Sequence, residues 1–232
     1  MLTNSCDKLE RTFAIISLLA FLCGIFFITI LGISPFLQSV FQTSLYITLI
    51  IGIFLVIESI NKIGIKNFVG KSLLYFGISG VLSLINILLI DFNTQIQINK
   101  TLWLVESLLM VAGLYLLLTT YKLNLPKFVF VETIFVFLIT YFATSFFLGW
   151  VQILNTFLIT IGVMAIRISG KRTHCGIVCL SSGLILLAIS NILFFYRSWN
   201  DISYFGDISD VVLLISWITI VVGIYFTKKY HV

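Results

Sequence analysis

The chain has 232 residues, of which 60% are hydrophobic and only 10% are charged, with a net charge of +5. A water-soluble domain carries about a quarter charged residues because its surface must be solvated, so this composition excludes a soluble globule and predicts an integral membrane protein. The positive charge is not gathered in a basic run, and Lys and Arg normally collect in cytoplasmic loops, so we expect a lipid bilayer and no nucleic acid as partner.

Eight apolar segments follow one another along the chain, separated by short polar connections. A bilayer core about 30 Å thick is crossed by roughly 20 apolar helical residues, so eight spans occupy nearly the whole chain. The sequence therefore predicts an all-α bundle of eight transmembrane helices in a single transmembrane domain, 1–232, with no attached soluble domain. The predicted spans are 12–31, 41–60, 72–90, 102–121, 128–147, 150–166, 175–195 and 208–226.

The basic residues predict how these spans are oriented. Twelve of the fourteen Lys and Arg residues fall at the chain ends or in predicted loops on the same side as the ends. Only Lys100 and Arg197 fall on the other side. Because Lys and Arg are enriched in cytoplasmic loops, the pattern predicts a multi-pass protein of the cell membrane with cytoplasmic N- and C-termini.

Three short sequence matches indicate an internal duplication with halves 1–121 and 122–232. Two four-helix repeats inserted the same way round would be related by a pseudo-two-fold axis along the membrane normal. Short apolar matches also arise by chance, so both interpretations stay open. The matches are GK at 70–71 and 170–171, NIL at 86–88 and 191–193, and Gly-Leu-Tyr and Gly-Ile-Tyr at 113–115 and 223–225.

Ionisable side chains inside spans are costly and are therefore candidates for function. Glu58 has Lys62 one helical turn later, so an interfacial ion pair explains it. Glu132 lies near the start of its span, where the helix dipole favours a carboxylate. Glu106 has no basic residue three or four positions away, which makes it the first candidate for ligand or ion binding. The alternative is a protonated carboxyl group bonded to a neighbouring helix.

Asn86 and Asn191 are the other candidates for ligand or ion binding. Each ends a stripe of small and polar residues, and such stripes let helices pack closely in lipid. The alternative to packing is a central polar cavity that Glu106, Asn86 and Asn191 would line. The stripes are Ser79, Ser83 and Asn86, and Ser181, Ala188 and Asn191.

Residue patterns of enzymes and metal sites are missing from the sequence. The run 77–80 copies the short nucleophile motif of intramembrane serine proteases, but both histidines lie outside the predicted spans, so no base activates the serine. No H-E-x-x-H motif and no phosphate-binding loop occur. We therefore expect no enzymatic activity, no cofactor and no metal centre built from such motifs. The cysteines, Cys6, Cys23, Cys175 and Cys179, lie outside the predicted external loops, so we expect no structural disulfide.

The segment 190–226 carries a faint family resemblance. In this segment, Asn191 lies near the end of one predicted span and Tyr204 lies in the loop that follows. Asp207 precedes the next predicted span, and Trp217 lies within that span. The segment resembles the closing helical pair of the polytopic membrane input domains that precede signalling modules in prokaryotic proteins. This resemblance implies a helical architecture and a sensing function. The chain departs from that family because no kinase or cyclase domain follows.

Three functions are compatible with the sequence. The first is a sensing or scaffold module that acts through a ligand, a membrane protein partner or a second copy of the chain. The second is a small-molecule or ion transporter or channel with its pathway between the two four-helix halves. The third, a membrane-embedded lipid enzyme, requires Glu58, Glu106 and Glu132 to converge on one cavity.

Overall fold

The computed structural model describes residues 35–91, 96–120, 127–144, 149–169, 175–199 and 208–231. These residues form seven α-helices, and none of them lies in a β-strand. The predicted first span, 12–31, lies outside the described residues. The helices are α1 Pro35–Ile63, α2 Phe68–Asp91, α3 Ile96–Thr120, α4 Lys127–Thr144, α5 Gly149–Ser169, α6 Cys175–Trp199 and α7 Ile208–His231.

Five helices are long and apolar enough to cross a bilayer, which confirms the prediction of a helical membrane protein. Of α4 and α5, the parts whose side chains are described are the apolar segments Val131–Phe142 and Ile153–Ser169. The count of eight spans therefore stays a prediction. The five candidate spans are Ser39–Ile63, Phe68–Leu89, Thr101–Thr120, Cys175–Phe194 and Ile208–Lys229.

Helix ends extend beyond the apolar segments from which the spans were predicted. Helix α1 begins at Pro35 rather than at residue 41, and proline is tolerated at a first helical position because its missing N–H has no helical partner there. Between α1 and α2, Gly64 takes a φ of 83°, a left-handed conformation that commonly ends helices. The Asn67 side chain then accepts a hydrogen bond from the Val69 N–H at 3.2 Å and caps the start of α2.

The bundle is built from helices that pack on their neighbours in sequence and closes through α7. Helix α1 packs on α2, α2 on α3, α5 on α6 and α6 on α7, while α7 returns to contact α1. Helix α3 contacts both α5 and α6, so it joins the two parts of the chain. Helix α4 packs on α5 and exposes large side chains such as Phe135 and Phe142, as a lipid-facing helix does.

Small residues allow close approach of α6 and α7. A Cβ atom added at Gly223 would lie 2.8 Å from the backbone nitrogen of Leu180, a distance at which the helices would have to separate. The Ser216 hydroxyl donates a hydrogen bond to the Gly183 carbonyl oxygen across the same interface at 2.8 Å. Such contacts hold helices together in lipid, where the hydrophobic effect provides little association energy.

Candidate functional site

Two serine side chains of α2 fix its position against α3. The Ser72 hydroxyl donates to the Gly113 carbonyl oxygen at 2.6 Å, and the Ser79 hydroxyl donates to the Glu106 backbone carbonyl oxygen at 3.1 Å. The predicted packing role of the serine stripe is therefore borne out for Ser79. Because both bonds cross between the helices, they bring the Glu106 side chain against α2.

The Glu106 carboxyl group is buried without a hydrogen-bond partner. The residue is 1% exposed, and among the residues that the structure describes neither carboxyl oxygen has a partner within hydrogen-bonding geometry. The Ser83 hydroxyl lies beside it. No ion pair among the described residues includes Glu106. Burying an ionised carboxylate alone costs several kcal/mol, so this group must be balanced by a proton, a cation or an external donor.

An aromatic contact between α3 and α6 shows which turn of α6 lies at the same height in the bundle as Glu106. The rings of Trp103 and Phe194 meet edge to face with centroids 5.8 Å apart. Trp103 lies one turn before Glu106 on α3, and Phe194 lies one turn after Asn191 on α6. In this antiparallel arrangement, Glu106 and Asn191 lie at the same level of the bundle.

Asn191 is hydrogen-bonded to Asn155 of α5, a residue that was not among the predicted site residues. Its side-chain amide nitrogen donates to the Asn155 side-chain oxygen at 3.2 Å, and both residues are buried. The Asn191 oxygen and the Asn155 nitrogen are left without partners. Exchanging the amide oxygen and nitrogen in both residues also leaves one donor and one acceptor. An asparagine inside an apolar span was the only local signal for Asn155.

Asn86 lies on the same side of the bundle, on α2, about two helical turns beyond Ser79, the serine bonded to the Glu106 backbone. It is 4% exposed, lies one turn after Ser83, and has a side-chain oxygen without a hydrogen-bond partner. We call Asn86, Glu106, Asn155 and Asn191 the polar layer. At about 1.5 Å per residue, each lies roughly 8–15 Å from the end of its helix, on the side where α2 and α6 end and α3 and α5 begin. The predicted orientation places this side outside the cell.

The next turns of α3 and α6 are mainly apolar, although they include the buried serines Ser107 and Ser181. Six of their apolar side chains are 0–1% exposed and belong to one hydrophobic cluster. This apolar layer separates the polar layer from the opposite end of the bundle. Its members are Met110, Leu114 and Leu117 of α3, and Leu180, Leu184 and Leu187 of α6.

The other two glutamates form ion pairs away from the polar layer. Glu58 pairs with Lys62 at 3.1 Å, as predicted, and also with Lys228 of α7, which links α7 to α1. Glu132 makes two hydrogen bonds to Arg167 of α5, at 2.7 and 3.0 Å. The helix-dipole interpretation of Glu132 therefore missed its main partner. The side chains of Glu58 and Glu132 are 50% and 35% exposed, respectively. The three glutamates therefore do not converge on one buried cavity.

The cysteines correct one expectation from the sequence. Cys175 is disulfide-bonded, so the prediction of no structural disulfide was wrong for Cys175. Cys179 is buried and is not part of a disulfide. Within the described ranges, no group of three or more His, Cys, Asp or Glu side chains is placed to hold a metal ion.

No protein-family model matches this chain. No curated protein and no solved structure matches it either. The resemblance of residues 190–226 to prokaryotic membrane input domains therefore stays a prediction.

Proposed function

We propose that this protein is a ligand-binding sensing module of the cell membrane, in which the polar layer receives a small ligand that is cationic or donates hydrogen bonds. The observation that carries this proposal is the Glu106 carboxyl group, which is 1% exposed and has no partner for either oxygen within the described part of the chain. Ionisable groups within spans are retained at a cost in stability, which makes them functional candidates. Asn191 and Asn155 at the same level extend the polar surface available to a ligand.

Sensing is favoured over transport by the apolar layer. A transport pathway must reach both membrane surfaces, whereas Met110, Leu184 and their neighbours fill the space between the polar layer and the opposite side. A ligand that enters from one side and changes helix packing fits this arrangement better. The response would pass to a membrane protein partner or to a second copy of the chain. An ion or small-molecule transporter remains the second candidate, and it requires a second conformation in which the apolar layer opens.

We also propose eight spans arranged as two four-helix repeats, with halves 1–121 and 122–232. Under this duplication α1, α2 and α3 correspond to α5, α6 and α7. The packing of α2 on α3 then corresponds to that of α6 on α7, and the contact of α1 with α7 corresponds to that of α5 with α3. The matched residues Gly113 and Gly223 each lie at a close approach to the preceding helix of their pair. The polar layer would then lie where the two halves meet.

Thermal unfolding of the detergent-purified protein tests the proposed function. The panel contains inorganic cations, organic ammonium compounds and neutral metabolites, each added at constant ionic strength. A ligand at about 100 times its dissociation constant adds roughly 2.7 kcal/mol, which a melting curve registers. We expect at least one compound to raise the Tm of the wild type but not of Glu106→Gln.

Glu132→Gln is the matched control, because it removes a carboxylate that is exposed rather than buried. The proposal expects this variant to respond as the wild type does. If no compound shifts the wild type, or if every shift persists in Glu106→Gln, the polar layer is not a ligand site.

A further inference from the structure

We propose that the ligand of the polar layer is a small monovalent metal cation, the size of Na⁺, bound by side-chain oxygen atoms of Glu106, Asn191 and Asn86. This inference rests on the proposed function and identifies its ligand class. It also assigns the ion a role in joining the α2–α3 pair to the α5–α6 pair.

Unpaired acceptors outnumber unpaired donors in the polar layer. Both carboxyl oxygens of Glu106 and the side-chain oxygens of Asn86 and Asn191 are buried without a partner, whereas Asn155 contributes one unpaired N–H group. The Ser83 hydroxyl beside the carboxyl group is a donor as well as an acceptor, so it does not add to this excess of acceptors. Carboxylate and amide oxygens are the ligands that hard cations prefer. An excess of such acceptors is satisfied by a cation.

The charge of the polar layer selects a singly charged ion. The layer contains one carboxyl group and three neutral amides, so its formal charge is −1 when Glu106 is ionised. A monovalent cation neutralises this charge. A divalent cation would leave a net positive charge buried among apolar side chains, and an uncompensated buried charge is costly.

Close packing around the polar layer favours a bare ion over a metabolite. Its four residues are each 0–4% exposed. The apolar layer lies on one side of Glu106 and Asn191, and the Trp103–Phe194 contact lies one turn from these two residues on the other. Pockets that hold drug-sized molecules measure about 300–1,000 Å³, whereas an ion needs only the space between its oxygen ligands.

Ion binding would connect two parts of the bundle. Glu106 and Asn86 belong to α3 and α2, which are held together by serine hydrogen bonds, and Asn191 belongs to α6, which is bonded to α5. An ion shared by Glu106 and Asn191 joins these pairs. When the ion leaves, a proton on Glu106 neutralises the carboxylate, but nothing then bridges Glu106 and Asn191. The contact between the α2–α3 pair and the α5–α6 pair therefore weakens. Occupancy is thereby converted into helix packing, which a partner can detect.

The test replaces NaCl stepwise by N-methyl-D-glucamine chloride at constant ionic strength and pH, with LiCl, KCl, CaCl₂ and choline chloride as further arms. The Tm is measured for the wild type, Glu106→Gln and the control Glu132→Gln. Tryptophan fluorescence is recorded in parallel, because Trp103 lies beside the site at the α3–α6 interface. A Trp103→Phe variant shows which part of the signal comes from that residue.

We expect a saturable rise in Tm with a monovalent metal ion in the wild type and in Glu132→Gln, and no rise in Glu106→Gln. A fluorescence change should accompany it and disappear in Trp103→Phe. Asn191→Leu keeps the carboxylate and should raise the half-saturating ion concentration by at least roughly tenfold, because loss of even an outer-shell partner typically costs that much. This variant keeps the test valid if Glu106→Gln fails to fold.

Two other outcomes would overturn the inference. A Glu106-dependent rise in Tm with choline or calcium, but with no monovalent metal ion, would retain the proposed function and refute the ion class. Absence of a Glu106-dependent effect from any compound would refute both, and would mean that Glu106 simply carries a proton.

Discussion

Glu106 and Asn191 of the polar layer lie one to two helical turns from the apolar layer on the same two helices, α3 and α6, yet the two sets of side chains differ in how well they are packed and paired. Met110 and Leu184 are fully buried in a continuous hydrophobic cluster, whereas Glu106 and Asn191 hold buried oxygens without partners. In lipid, apolar side chains stabilise a bundle by close packing rather than by escape from water. The apolar layer therefore supports the fold, whereas the polar layer lowers stability, a cost that the proposed ligand binding would explain.

The largest expected effect comes from opening the apolar layer. Leu184→Ala should lower the free energy of unfolding by about 2 kcal/mol or more, because the cavity left by a buried leucine forfeits its packing contacts. Titration with a denaturing detergent measures this loss. Ile189→Ala on the same helix is the control, since Ile189 is 37% exposed. Equal losses in the two variants would show that the apolar layer is not closely packed.

An apolar substitution in the polar layer should change the free energy of unfolding differently from Leu184→Ala. In sodium-free buffer, Glu106→Leu should leave stability unchanged or raise it by about 1–2 kcal/mol, because replacing a buried polar group by an apolar one of similar volume is often neutral or stabilising. Glu106→Gln retains unpaired polar atoms and should gain less. The same detergent titration compares the variants. A loss from Glu106→Leu as large as that from Leu184→Ala would remove the distinction between the layers.

Smaller losses are expected from the two serine bonds between α2 and α3. Ser72→Ala and Ser79→Ala should each cost about 0.6 kcal/mol, the average for such bonds in membranes. Only Ser79→Ala should also weaken ligand binding, because Ser79 bonds the Glu106 backbone whereas Ser72 bonds Gly113 in the next turns of α3. Sodium titrations of Tm distinguish them, and identical sodium dependence in both variants would contradict the assignment of Glu106.

The smallest effect is expected at the surface ion pair. Glu132→Gln breaks the contact with Arg167, but these side chains are 35% and 55% exposed, so solvent already screens the pair. We expect no measurable change in Tm and an unchanged ligand response. A clear loss of stability would mean that charge itself, rather than burial without a partner, distinguishes the glutamates.

The candidate site could be predicted in part because the cost of a polar group in lipid is a local property. Glu106, Asn86 and Asn191 stand out in apolar spans, and all three are buried with unpaired oxygens. Asn155 was missed because its importance comes from the hydrogen bond to Asn191. Such contacts depend on the register of one helix against another, and this register cannot be predicted from the hydrophobicity of the sequence.

The same limit applies to other parts of the fold. The ion pair of Glu58 with Lys62 follows from helical spacing and was predicted, whereas the pair of Glu132 with Arg167 joins two helices and was not. Helix boundaries also went beyond the apolar windows, because a helix such as α3 continues to Ile96 past the lipid-facing segment. Hydropathy marks where lipid contacts a helix, and capping decides where the helix ends.

Binding of ²²Na⁺ to the purified protein tests the central claim most directly. The account predicts one saturable Na⁺ site per chain in the wild type and in Glu132→Gln, and loss of that site in Glu106→Gln. Equal binding by the wild type and Glu106→Gln, or none by either, would contradict the claim that the unpaired Glu106 carboxylate holds the ion.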